Sequence, residues 1–170
     1  MDRYINAALC ASYIVAGVIA NLLVYQFGQA ALLVTAVVLM PADFLARDIL
    51  HHRWEARGKV AMRMGLLILG SAACTYLCNP AASRVAMASA IAFAVAGSVD
   101  AIVYAMGHKH TRFVRMNVSN IVGAISDSIV FPIIAFGGFS VILSLSQAAL
   151  KIVGGLVLSA VFLKAKGEKF

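Results

Sequence analysis

The sequence predicts an all-α integral membrane protein, a single bundle of six transmembrane helices that occupies residues 1–170 as one domain. Two observations carry this. Apolar side chains make up 62% of the 170 residues and charged ones only 12%, with a mean hydropathy of +0.93, well beyond the composition of a soluble domain. The apolar runs also exceed the ~18 residues that mark a spanning helix, and six such runs with short turns use up the chain, leaving no length for a second domain. The formal charge of +7 would by itself point to a polyanion. The basic residues fall in short loops between the apolar runs, however, where membrane topology explains them. The bilayer is therefore an expected partner and nucleic acid is not.

Span one, Ile5 to Phe27, has its polar positions at Asn6, Ser12, Asn21 and the closing Tyr25 and Gln26. It is too long, and too weakly flanked by a cleavage site, to be a removable signal peptide. Ala7 with Ala11 and Ala16 with Ala20 offer small-residue surfaces for close helix contact. Span two, Gly28 to Leu50, is apolar up to Pro41 and then turns polar in PADFLARD. Pro41 frees a backbone carbonyl and loosens the helix just before those charges. The segment His51 to Lys59, HHRWEARGK, reads as a basic loop or surface helix with Trp54 suited to the interfacial belt. Span three, Val60 to Cys78, carries almost nothing polar and is assigned a scaffold role. Asn79 and Pro80 form a turn, and span four follows from Arg84 to Gly107. The loop HKHTR leads into span five, Phe113 to Gly138. A Gly137–Gly138 turn precedes span six, Ser140 to Leu163, and a basic tail, KAKGEKF, closes the chain.

Lysines and arginines concentrate in the second and fourth loops and the tail, whereas the opposite loops offer only Arg84. The positive-inside rule then puts both termini in the cytoplasm, with the chain in the inner (plasma) membrane. Cys10, Cys74 and Cys78 all fall within apolar helices and are expected to be small buried thiols without a metal.

Span five is the segment around which the rest is arranged. A carboxylate near mid-bilayer costs at least ~3 kcal/mol on insertion scales, so Asp127 must face a bundle interior, a partner or a watery cavity. At 3.6 residues per turn Asn117, Asn120, Ala124, Asp127 and Phe131 share one side, a polar stripe ending in a ring, and form a candidate site wall with Ser128 beside them. Lys151 in span six, one turn from Gln147, reaches a depth similar to that of Asp127. Such a pair either lines or gates a site, or is a bridge fastening spans five and six. Asp43 and Arg47 are spaced to pair along span two. Arg47 and Asp48 lie close enough to the interface to be either headgroup anchors or site residues. Asp100, with Tyr104 one turn on, lies too deep in span four to reach water. Asn21 suits an interhelical hydrogen bond or the site. His51, His52, His108 and His110 read as solvated loop residues. No phosphate-binding glycine loop, Ser/His/Asp triad or HExxH occurs, and no cofactor or metal is expected.

These segments together resemble a known family. The stretch SNIVGAISDSIVFPIIAFGG, Ser119 to Gly138, is similar to the SN-(x)-G-(x)-DS-(x)-F-(x)-IAF-G pattern of the vitamin uptake transporter family, the queuosine precursor transporters. PADFLARDILHHRW, AIAFAVAGSVDAIVY and QAALKIVGGL agree in order with its second, fourth and sixth spans. Gly97 departs from it, since many members carry a glutamate there. The resemblance implies a six-helix bundle like the substrate-binding components of energy-coupling-factor transporters. It implies import of 7-cyano-7-deazaguanine or a related 7-deazapurine for queuosine synthesis, with no enzymatic activity. It points to Asn21, Asp43, Arg47, Asp100, Asn120, Asp127, Ser128 and Lys151 as polar site positions, and Phe93, Tyr104 or Phe131 are suited to stack on such a base. Two rival readings stand beside it. One is a substrate-binding component that needs a separate energising module. The other is a membrane metalloenzyme with Asp43, Asp48, Asp100 and Asp127 around Mg. A homo-oligomer is compatible with either transport reading.

Overall fold

The computed structural model describes residues 2–55 and 59–165 and contains helices and turns only. Six helices are long and apolar enough to cross a membrane: α1 (Asp2–Phe27), α2 (Gln29–Glu55), α3 (Val60–Cys78), α4 (Ser83–Met106), α5 (Arg112–Phe136) and α6 (Val141–Ala165). A single 3-10 turn, Pro80–Ala82, joins α3 to α4, with the Asn79 side chain accepting the Ala81 amide at 3.1 Å. Gly28 makes the turn between α1 and α2 with φ 60°, a conformation that a side chain would disfavour. Thr111 and Ser140 cap α5 and α6, accepting the Val114 and Leu143 amides at 3.4 Å.

The main helix contacts close into a ring in the order α1, α2, α6, α5, α4, α3. Because α2 has α1 and α6 as its principal neighbours, a side chain on α2 that reaches α4 or α5 must cross the middle of the bundle. Three apolar clusters fill that middle around its polar groups. Val24, Leu32, Val85, Ala88, Phe131 and Ala135 pack at the end remote from the termini. Ala20, Met40 and Phe93 pack at mid-depth. Tyr13, Leu50, Trp54, Met64 and Leu67 pack at the terminal end. Valines, leucines and isoleucines such as Val38, Leu66, Leu69, Ile142 and Val161 face outward. This is the arrangement a lipid-solvated bundle requires.

Several expectations are corrected. The segment expected to be a loop or surface helix from His51 is instead a continuation of α2 as far as Glu55, since no breaker intervenes before Gly58. Trp54 does not face the interface; it is buried in the terminal-end cluster, with the Arg63 guanidinium 5.6 Å from its ring. Ala56, Arg57 and Gly58, and the tail from Lys166, lie outside the described residues. The thiols are not buried: Cys10 and Cys74 are half-buried, which costs little where the surroundings are hydrocarbon, and Cys78 is exposed at the end of α3. Nor is α3 a bare scaffold, because it buries Ser71 and Thr75.

Candidate functional site

The stripe inferred for α5 faces inward along its whole length. Asn117, Asn120, Ala124, Asp127 and Phe131 are all buried, and so is Ser128. Helical periodicity alone puts them on one side; the ring of neighbours turns that side away from lipid.

At mid-depth Lys151 of α6 contacts the Asp127 carboxylate through Oδ2 and donates to Ser128 Oγ at 3.3 Å. The side chains of both ionic partners are 4% exposed. An isolated ammonium in this setting would be too costly to keep charged, and the contact carboxylate is what stabilises it. One turn earlier on α6, Gln147 is fully buried and its Nε2 has no hydrogen-bond partner. Asp127, Lys151 and Gln147, with Asn21, Phe93 and Phe131, line a cavity of about 30 Å³. That is room for a water molecule or two, far below the ~300 Å³ of an ordinary ligand pocket. The same wall carries Thr35 and Ser89, two hydroxyls in otherwise apolar stretches.

A second polar group lies nearer the terminal end. Arg47 crosses the bundle from α2, donating from Nη2 to Asn120 Oδ1 at 3.2 Å and lying 3.7 Å from Asp100 Oδ1. Gly123 on α5 packs beside this crossing: a Cβ there would make ordinary contact, 3.6 Å from Asp100 Cβ and 3.9 Å from Arg47 Nη2. Arg47 and Asp100 form part of the wall of a larger cavity, about 250 Å³, between α1, α2, α3 and α4. Phe93 contributes to the walls of both cavities. Asp43, one turn before Arg47, is buried.

The remaining expected residues have other partners. Asn21 donates to Thr75 Oγ1 at 3.1 Å, tying α1 to α3 while still lining the smaller cavity. Asn117 accepts from Ser159 at 2.9 Å and donates to the Phe113 carbonyl at 2.8 Å, tying α5 to α6 outside both cavities. Tyr104 lies away from both, half-buried beneath Arg115, whose guanidinium is 3.9 Å from its ring. His108 and His110 are exposed in the α4–α5 turn. Among the described residues no group of three or more His, Cys, Asp or Glu could hold a metal ion; Asp100 faces Arg47 and Asp127 faces Lys151, so each carboxylate already has a cation beside it. The side chain of Asp48 lies outside the described residues.

Tyr13 is the principal residue that sequence reasoning passed over. It is fully buried and lines the larger cavity with Arg47 and Asp100. The signal was available: Tyr13, Gly17, Ala20 and Val24 repeat at helical spacing, and a tyrosine in mid-span instead of at the interface is out of place unless it faces something polar. Thr75 and Ser159 gave no such signal, since lone hydroxyls in apolar spans commonly bond to their own backbone.

The model of one protein family, described as "putative vitamin uptake transporter", matches residues 4–165, nearly the whole chain. No curated protein and no solved structure matches it.

Proposed function

Since this chain belongs to the vitamin uptake transporter family, we propose that it imports a 7-deazapurine base, 7-cyano-7-deazaguanine or a close relative, by alternately exposing a polar site near mid-membrane. The observation that carries the reading is the buried contact of Lys151 with Asp127 and Ser128, beside the unpartnered Gln147 amide. Such groups are expensive in a membrane and are usually retained for a ligand or ion path.

The chemistry of a deazaguanine suits them. Its N1–H and exocyclic amine are adjacent donors that a carboxylate accepts together, and Asp127 uses only Oδ2 toward Lys151. Its carbonyl accepts from an ammonium or amide, a role open to Lys151 and Gln147. Its flat face stacks on a ring such as Phe93 or Phe131, each contact of this kind being worth ~1 to 3 kcal/mol. With the smaller cavity at about 30 Å³, the base is admitted only when the wall moves, as alternating access requires. The positive-inside rule puts the termini, and with them the Arg47–Asp100 group, on the cytoplasmic side of an inner membrane.

The test is uptake of radiolabelled 7-cyano-7-deazaguanine by the purified chain alone in empty liposomes, with Asp127→Asn and Lys151→Met compared after insertion is verified. Uptake by the wild type and loss in both variants is the expected result; wild-type rates in both variants would reject the site. A second reading, a substrate-binding component awaiting an energising module, is favoured by one observation: Ala7, Ala8 and Ala11 are exposed on the terminal half of α1, a small-residue surface fit for a docked helix. Binding without uptake by the isolated chain would select it.

A further inference from the structure

The two cavities on either side of Phe93 are unequal, and the larger is not the one around Asp127 and Lys151. At about 250 Å³ the terminal-end cavity approaches the size of ordinary ligand pockets, whereas the mid-bundle one, at about 30 Å³, does not. It lies between α3 and α4, and Ala61 and Ala94 are exposed at its margin. Gly65 of α3 and Gly97 of α4 both line it, and a Cβ built on either meets nothing within 4 Å. Its inner wall is polar, with Tyr13, Arg47 and Asp100.

Asp100 is the informative residue. It is 9% exposed, and its Oδ1 accepts no hydrogen bond although Arg47 Nη2 lies 3.7 Å away. A buried carboxylate short of donors is a costly arrangement, and the Asp100 side chain, 13% accessible, lines the cavity where a ligand N–H can reach it. A lipid tail supplies no such donor. A planar bicyclic base does, and it also offers apolar faces for walls made of glycine, alanine, methionine and phenylalanine.

We propose that the cavity between α3 and α4 is a second station for the transported base, with the Asp100 carboxylate accepting a ring or amine N–H, Arg47 facing the carbonyl, and Phe93 as the wall shared with the Asp127–Lys151 pair. The proposal rests on the deazapurine reading above and adds a location to it. In this conformation the base fits only on the terminal side, so displacement of the Phe93 ring joins the two stations.

Equilibrium binding of 7-deazaguanine and 7-cyano-7-deazaguanine to the purified protein in detergent tests it. Gly97→Leu and Gly65→Leu add bulk to the cavity from its α4 and α3 walls, at positions where a Cβ meets nothing within 4 Å, and Ala105→Leu adds a leucine on the exposed face of α4. The cavity variants are expected to weaken binding about tenfold or more by exclusion, with melting temperatures retained, and Ala105→Leu to bind as the wild type does. If one cavity variant fails to fold, the other decides. Undiminished binding in a folded cavity variant overturns the second station while leaving the substrate reading intact. A wild-type protein that binds neither base overturns both.

Discussion

Lys151 brings an ammonium into the middle of an apolar helix, and Asp127 and Ser128 are what allow it to remain charged there. Asp127→Asn or Lys151→Met should each cost ~3 to 5 kcal/mol, because the charge left behind is stranded in a dry interior. The double variant removes both charges and should recover most of that loss in thermal unfolding in micelles, without recovering uptake. A double variant no more stable than its parents would mean that the pair contributes little electrostatically. Gln147 makes the opposite case. Its buried Nε2 has no partner, so Gln147→Leu should hold or raise the melting temperature while reducing the stabilisation a bound base confers, ~2.7 kcal/mol at 100 times its dissociation constant. Equal ligand-induced shifts in the two proteins would remove Gln147 from the site. The acid and base at mid-depth were legible in the sequence because charge in an apolar run is conspicuous. The roles of Asn117 and Tyr104 were not, because Ser159 and Arg115, which engage them, lie 42 and 11 residues away.

The helices are held by close approach at a few small residues. On α6, a Cβ added to Gly154 would lie 2.4 Å from Pro41 Cγ of α2, closer than any relaxed contact. Pro41 therefore does two things: it loosens α2 ahead of Asp43, and its ring seats in the notch that Gly154 leaves. Gly154→Ala should cost about 1–3 kcal/mol through overpacking of that crossing, read as a lower melting temperature. Gly97→Ala, whose Cβ enters open space, should be close to neutral. If the two behave alike, the α2–α6 crossing is not held by this notch. The Gly154–Gly155 pair was visible in the sequence, but its partner was not: a glycine announces that something comes near and never what it is. The same holds for α1, where the alanine pairs suggested contact surfaces and a Cβ on Gly17 would stand 2.3 Å from Ser71 Oγ of α3.

For the whole molecule, the ring order α1, α2, α6, α5, α4, α3 puts both termini at one end and the Cys78 end of α3 at the other. With Cys10 and Cys74 replaced by alanine, the exposed Cys78 should react with a membrane-impermeant maleimide in intact cells if the termini are cytoplasmic. Labelling only after lysis would invert the orientation. The sequence by itself determined that six helices form, roughly where each begins, and which groups cannot face lipid. Hydropathy and helical period are local properties, and the solvation cost of a buried charge does not depend on its partner. Only the tertiary structure decided that Arg47 crosses the bundle to Asn120 and Asp100, that Tyr13 joins them, and that the interior divides at Phe93 into a narrow and a wide cavity. Those outcomes depend on which helices become neighbours. Lipid-facing apolar surfaces are interchangeable enough that composition cannot specify the pairing; close contacts between particular small and polar side chains do.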